Sequence, residues 1–369
     1  MSRPSPHGAD PSVLRRLNSA AVLRALRAGG EFTLSALAER VGVSRPTAEG
    51  VLGELTARGL VAEAAPRHGA GLGRPARRYR FRAEAGHALG IDIDAHRVRL
   101  LVTDLAGDAA GGHRADVRAD APPAERIAAV RAAVKTCLAA ARVERRSLRA
   151  VAAGTPGVVD PRGTVASCTV VPGWAGVPLA RELGRSFGCP VLVENDANLA
   201  ALAERWRGAA RDADDVVCVH AGLHTGVGVL IGGRLHRGRG GAAGEIGMLP
   251  ELGLRDTAAR AAAEPPARLA ARMSRGVAAM ALALDPEMIV VGGPLVRPGG
   301  PLVAELAAAV RPLCLGPVRI EESPLGDESV SLGAVRLALD RIDEDLFSPG
   351  PARRPDAPAI MGHDVGRGR

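Results

Sequence analysis

One change in the spacing of apolar residues, near residue 86, divides the chain and limits the folds open to it. Before it, apolar side chains recur every three or four residues, the spacing of one helix face. Val13, Leu14, Leu17, Val22, Leu23 and Leu26 mark a first helix that stops at Gly29-Gly30. Thr33 opens a second, with Leu34, Leu37, Ala38 and Val41 on one face, and Gly42 breaks it. Ser44 caps a third, in which Pro46 is tolerated in the first turn and Val51, Leu52 and Leu55 point inward. Short strands follow at 60–64 and 78–82, around the loop PRHGAGLGRPAR. The Pro- and Ser-rich residues 1–12 read as a disordered leader, so the first domain is expected over 13–84.

After the change, short apolar runs alternate with helical stretches. ALGIDID and RVRLLVTDL read as strands, with a hairpin turn at Gly107-Asp108. An Ala/Arg-rich helix spans 122–143, and strands recur at 149–153, 190–194, 215–220, 226–231, 288–292 and 317–321. Helices at 178–187, 196–208, 257–283, 301–313 and 329–342 separate several of them. This alternation predicts an α/β domain over 88–342, with residues 343–369 as a disordered Pro-, Gly- and Arg-rich tail.

Charge is distributed as unevenly as spacing. Residues 1–85 carry 14 of the 48 basic side chains but 7 of the 40 acidic ones, and so hold +7 of the net +8. A basic module on a nearly neutral body points to a polyanionic partner for the module. No stretch approaches the ~20 apolar residues needed to span a membrane, so no membrane partner is expected. The N-terminus has no apolar signal core, and the five cysteines stand singly. A cytoplasmic location follows, with neither a disulfide framework nor a clustered metal site.

The segment TLSALAERVGVSRPTAEGVLGELTARGLV is helix, glycine turn, helix. Packing the two apolar faces under the turn leaves Arg45, Thr47 and Glu49 outward on the second helix, where a helix-turn-helix meets base edges. Arg67, Arg74, Arg77 and Arg78 in the loop would meet phosphates or the minor groove. The segment resembles the winged helix-turn-helix of bacterial repressors, including the Gly73-Arg74-Pro75 step. The expected DNA-contacting residues are Ser44, Arg45, Thr47, Arg74, Arg77 and Arg78, and the bland alternative is an αα-hairpin that only packs.

Further on come VLVENDANLAAL, TGVGVLIGGRLHRGRGGAAGEIGM and LDPEMIVVGGPL, in that order. Together they resemble the ROK family (repressor, open reading frame, kinase). The resemblance implies an actin-like, ribonuclease-H-like fold of two α/β lobes around a ligand cleft. It also implies that Asp196 stands where the family's sugar kinases have their general base, and Asn195 and Glu245 where they bind sugar hydroxyls. An acid beside an amide suits polyol recognition on chemical grounds alone, since each can engage two hydroxyls. The bland reading makes Asp196 a cap on a helix 197–208 and Glu245 a charge in a loop.

The phosphate loops depart from the family. Its Asp-x-Gly-Gly-Thr-Lys reads Asp92-Ile93-Asp94-Ala95-His96-Arg97, and its Gly-Thr-Gly is matched to Gly222-Leu223-His224. An added carboxylate repels phosphate, and side chains obstruct the approach that glycine permits. On the sugar side, Val170 replaces an Asn and Met248 a His, and residues 249–272 contain no Cys or His for zinc. The expectation is a repressor that binds double-stranded DNA as a homo-oligomer, dimer or tetramer. It responds to a sugar or sugar phosphate and lacks catalysis, cofactor and metal. The alternatives are an ATP-dependent carbohydrate kinase carrying a DNA-binding module, and a scaffold whose cleft binds nothing.

Overall fold

The computed structural model describes residues 11–64 and 77–347, which divide into two compact units: 11–82 with 343–347, and 83–342. In the first unit, α1 (Pro11–Gly29), β1 (Phe32–Thr33), α2 (Leu34–Val41) and α3 (Arg45–Ala57) precede β2 (Val61–Glu63) and β3 (Arg78–Phe81). The strands form one sheet in the order β1-β3-β2. Thr33 caps α2, and Gly42 ends it in the left-handed conformation (φ 74°), donating its N–H to the carbonyls of Ala38 and Glu39. A residue with a Cβ is strained there, so the glycine makes the reversal into α3 possible. Leu23, Leu26, Leu37, Val51, Leu52 and Leu55 form the buried centre. α1 begins at Pro11, so the last two residues of the expected leader are helical, and residues 1–10 lie outside the described residues.

The second unit opens with β4 (His87–Ile93), β5 (Arg97–Asp104), β6 (Ala109–Asp116), α4 (Pro123–Ala140) and β7 (Leu148–Thr155). A small hairpin of β8 (Val158–Val159) and β9 (Val165–Ser167) leads to α5 (Leu179–Gly184), β10 (Val191–Asn195) and α6 (Asp196–Arg207). The chain continues through β11 (Val216–Ala221), β12 (Thr225–Ile231), β13 (Arg234–Leu235), α7 (Thr257–Ala263) and α8 (Pro266–Leu284). It ends with β14 (Met288–Gly292), α9 (Pro301–Val310), β15 (Arg319–Glu322) and α10 (Ser329–Phe347). α10 starts in this unit, and its last residues, from Asp343, count with the first unit, where Asp343 is ion-paired to Arg27 of α1. The first five residues of the expected tail are therefore helical, and residues 348–369 lie outside the described residues.

The two lobes repeat one topology. β4, β5 and β6 form an antiparallel meander, and β7 and β10 extend it in parallel on the β4 side (order β10-β7-β4-β5-β6). β11, β12 and β13 form the second meander, extended in parallel by β14 and β15 (order β13-β12-β11-β14-β15). Each sheet buries a Val/Leu/Ile layer, under α4 and α5 in one lobe and under α8 and α9 in the other. The expected helix 257–283 is two helices, because Pro265-Pro266 interrupts it after Glu264.

α10 is seated on bare backbone. A Cβ on Gly90 of β4 would stand 2.3 Å from the Ser331 carbonyl oxygen, and one on Gly333 would stand 1.8 Å from that of Leu199 in α6. Replacing a helical glycine by Ala ordinarily gains up to about 1 kcal/mol. Gly333→Ala is expected to lose about 1–3 kcal/mol instead, because α10 must move off α6. Urea unfolding of the full chain measures this, and a stabilised variant contradicts the packing.

Candidate functional site

The outward face of the first unit begins at the N-terminus of α3. The Ser44 hydroxyl accepts from the Thr47 N–H at 3.3 Å and lies 2.8 Å from the Thr47 hydroxyl, so both side chains fix the start of the helix. Arg45, the first residue of α3, is exposed, as is Glu49 one turn on. Arg77 is exposed and 3.5 Å from the Glu63 carboxylate. Arg78 turns back into the unit. Its guanidinium donates to the Glu31 carbonyl at 2.8 Å and lies 3.4 Å from the Glu31 carboxylate. Arg67 and Arg74 lie outside the described residues.

In the second unit a cleft of about 330 Å³ opens between the lobes and brings Asn195, Asp196 and Glu245 together. They arrive from different elements. Asn195 ends β10, Asp196 begins α6, and Glu245 opens a short 3-10 turn after the Gly-rich hairpin. Asn195 caps α6, its Oδ1 accepting from the Asn198 N–H at 3.0 Å, while its Nδ2 donates to the Gly157 carbonyl at 3.1 Å. The cap is thus Asn195, and Asp196 is the first helical residue. Glu194 is buried and holds the corner. It accepts from the Asn195 N–H and the Asn198 amide, and meets Arg237 of the hairpin at 2.5 Å. Asn195 therefore positions the loop, while Asp196, whose one hydrogen bond among the described residues is from the Ala197 N–H at 2.8 Å, keeps an oxygen for the cleft.

The cleft raises the pKa of its carboxyls. Burial pushes Asp196 up to about 8, with the Asp92, Asp94 and Glu245 charges adding to it and the Ala197 N–H opposing. Burial likewise raises Asp92 to about 7, against the pull of Arg99, and raises Glu245. This shift favours the neutral form of Asp196, which has a hydrogen to donate as well as an oxygen that accepts. His220, at the end of β11, is pushed down to about 4 by burial and stays neutral. Val170 and Met248 also line the cleft.

At the other end lies the altered phosphate turn, Asp94-Ala95-His96, between β4 and β5. Arg99 meets Asp92 at 3.1 Å and also pairs with Asp327, which follows β15. Arg97 lies 3.5 Å from Asp94 and 3.6 Å from Asp327. Beneath the turn sits a residue that sequence reasoning missed. Arg126 of α4 is fully buried and donates to the carbonyls of Asp94 (2.8 Å), Ala95 (2.9 Å), Arg118 (3.0 Å) and Ala119 (3.2 Å). Its signal was a cation in phase with the buried stripe Val130, Ala133, Val134 and Cys137. The second loop, Gly222–His224, is the turn from β11 to β12. The next residue, Thr225, is buried with its hydroxyl 2.9 Å from that of Thr257.

Two lobes of like topology around a carboxyl-lined cleft, on a chain that also carries a winged helix-turn-helix, define a sugar-kinase-like fold joined to a DNA-binding type of module. Residues 88–252 match the ROK family and residues 16–70 the MarR family. The chain carries a ROK family domain behind a MarR-type winged helix. It is 25% identical over 239 residues to a putative xylose repressor of Caldicellulosiruptor sp. strain Rt8B.4, covering 64% of this chain and 59% of that one. It is 27% identical over 252 residues to the glucokinase of Thermotoga maritima, covering 52% of this chain and 80% of that one. The crystal structure of a ROK family transcriptional regulator, a homologue of the E. coli MLC protein, superposes with a TM-score of 0.70 at 18% identity. The superposition covers 91% of this chain and 98% of that one. The chain spans about three-fifths of the length of the repressors it matches.

The raised carboxyls set a sign for stability against pH. Asp92 and Asp196 have folded pKa values above their unfolded ones, so their contribution is complete at low pH and is lost as pH rises through about 7 and about 8. Asp196→Asn is therefore expected to raise the melting temperature at about pH 8.5 and to change it little at about pH 5. A substitution effect equal at both pH values contradicts the assignment.

Proposed function

We propose that this chain is a DNA-binding transcriptional repressor of the ROK family, whose cleft takes a sugar effector and does not transfer phosphate. It acts in the cytoplasm as a homo-oligomer, dimer or tetramer, on double-stranded DNA. The observation that carries the reading is α3, a capped helix with Arg45 and Glu49 exposed at its start, in a unit that holds nearly all the surplus positive charge. One such helix reads only a few base pairs, which is the reason for two copies. Among the described residues no helix is long and apolar enough to cross a membrane. Asp196 and Glu245 are the candidate effector ligands, with Asn195 as the residue that positions them. Ser44 and Thr47 serve the helix start, Arg45 the bases, and Arg74 and Arg77 the phosphates. Arg78, held by Glu31, belongs to the wing's base more than to the DNA.

A kinase reading has one observation in its favour, Asp196 in the cleft of a chain that is 27% identical over 252 residues to a glucokinase. Against it stand the ion pairs that fill the phosphate turn. Phosphoryl transfer depends on positioning and neutralising phosphate charge, and here Arg97 and Arg99 already face three carboxylates.

Gel shifts of the full chain on duplexes from its own promoter region test the first half. Arg77→Ala is expected to weaken binding to all sequences and reduce the salt slope by about one, while Arg45→Ala changes which sequence is preferred. Absence of any salt-dependent shift contradicts it. A coupled assay with ATP, magnesium and a panel of hexoses tests the second half. No turnover above background is expected. A rate on the order of 1 per second, abolished by Asp196→Asn, promotes the kinase reading instead.

A further inference from the structure

Arg97, Arg99 and Arg255 all line the cleft. The first two come from β5 and face Asp92, Asp94 and Asp327. Arg255 comes from the other lobe, in the segment just ahead of α7. It is exposed, and among the described residues it makes no hydrogen bond and no ion pair. An exposed arginine is ordinarily a solvated surface charge. This one stands at a cleft wall, on a segment that is fastened on both sides of it.

The fastening runs to the turn between β11 and β12. The Thr225 N–H donates to the Leu254 carbonyl at 3.0 Å, and the Asp256 N–H donates to His224 Nδ1 at 3.2 Å. The Thr257 hydroxyl donates to the Gly222 carbonyl at 3.1 Å and lies 2.9 Å from the Thr225 hydroxyl, with both threonines buried. These bonds keep Asp256 in the left-handed conformation (φ 53°), which a residue with a Cβ seldom adopts. The main chain at Arg255 is thus pinned through both its neighbours, and its guanidinium is left to the cleft.

His224 lines the same wall and adds a second donor. Its Nδ1 accepts from the Asp256 N–H, which places the ring hydrogen on Nε2. The Asp256 carboxylate lies 3.5 Å from the same Nδ1, so a second proton on the ring sits there and Nε2 remains a donor. A guanidinium offers only donors, in a fork that matches a carboxylate or a phosphate. The cleft, about 330 Å³, is at the small-molecule end of pocket sizes, and Asp196 and Glu245 line it too.

We propose that Arg255 and His224 bind an acid group on the effector, so that the cleft selects an anionic sugar, a phosphate ester or a sugar carboxylate, over the neutral sugar. The proposal rests on the reading of the cleft as a sugar site and names the charge of what enters it. The hydroxyls engage Asp196 and Glu245, and the acid group engages the guanidinium and the imidazole N–H.

Calorimetric titration of the full chain tests this. A panel of aldopentoses and aldohexoses is offered, each as the neutral sugar, the phosphate ester and the uronic acid, so that the two sources of the acid group are read separately. For the sugar that fits, one acidic form is expected to bind roughly tenfold tighter than the neutral form, or more. Arg255→Ala removes that difference and leaves the neutral sugar's affinity and the ligand-free melting temperature unchanged. Arg275→Ala, which removes an exposed cation of α8 outside the cleft, leaves the difference intact. If inorganic phosphate alone binds the native chain and not Arg255→Ala, while no sugar binds, the anion site stands and the sugar reading falls. The proposal is overturned, with the sugar reading standing, if the neutral form binds as tightly as both acidic forms, if Arg255→Ala weakens neutral and acidic forms equally, or if Arg275→Ala has the same effect. If no probe binds, inorganic phosphate included, both fall.

Discussion

The second unit depends on two helices that meet at backbone distance. α6 and α10 each follow the last parallel strand of a lobe, β10 in one and β15 in the other, and glycine at 333 lets them touch at Leu199. Glycines at 90 and 154 admit α10 and α6 to the first sheet, and Gly228 admits Ala197 of α6 to the second. At Gly90, Gly228 and Gly333 the nearest neighbour is main chain, which deforms little, while at Gly154 it is the Val330 and Leu199 side chains. The cleft lies between the two sheets that meet at that crossing. Both helices also begin in it, with Asp196 at the head of α6 and Asp327 just ahead of α10. Equivalent positions in the repeated topology thus deliver one acid to each end of the cleft.

Electrostatics then divide the cleft by chemistry. At the Asp196 end, acids without a cation beside them are pushed up by burial toward their neutral forms, which suits donation to hydroxyls. At the phosphate-turn end, Asp94 and Asp327 pair with guanidiniums, burial raises Asp92 against the pull of Arg99, and Arg126 holds the turn from below through four carbonyls. A nucleotide's phosphates call for positive charge and open backbone, and at this end Arg97 and Arg99 already face Asp92, Asp94 and Asp327. The same geometric frame that serves catalysis in a sugar kinase here carries a charge-neutralised wall. Fold alone therefore does not decide function.

Much of this was legible in the sequence because its signals are local. Gly42 and Ser44 announce the reversal and cap of the helix-turn-helix, and both behave so in the structure. The run Glu194-Asn195-Asp196 marks a strand end feeding a helix, and that junction lies in the cleft. What escaped is what depends on distant partners. Arg126 looks like a surface residue until its helix is docked, and the Arg99–Asp327 pair joins residues 228 positions apart. Arg78 reads as a wing cation because nothing nearby in sequence reveals Glu31 as its partner, 47 residues away. The strand β6, AAGGHRAD, has no apolar face to betray it, since it lies at a sheet edge. The split of the 257–283 helix was visible as Pro265-Pro266, but the Ala-rich flanks mask a break that backbone geometry imposes.

The central claim, that the winged helix reads DNA sequence and the two-lobed domain serves that reading, is tested most directly by selection. The full chain is offered a pool of random duplexes, and the retained DNA is sequenced. The account predicts enrichment of a motif made of two related half-sites, spaced near one or two helical turns, the spacing that paired recognition helices require. Recovery of DNA with no sequence enrichment beyond the input pool contradicts it.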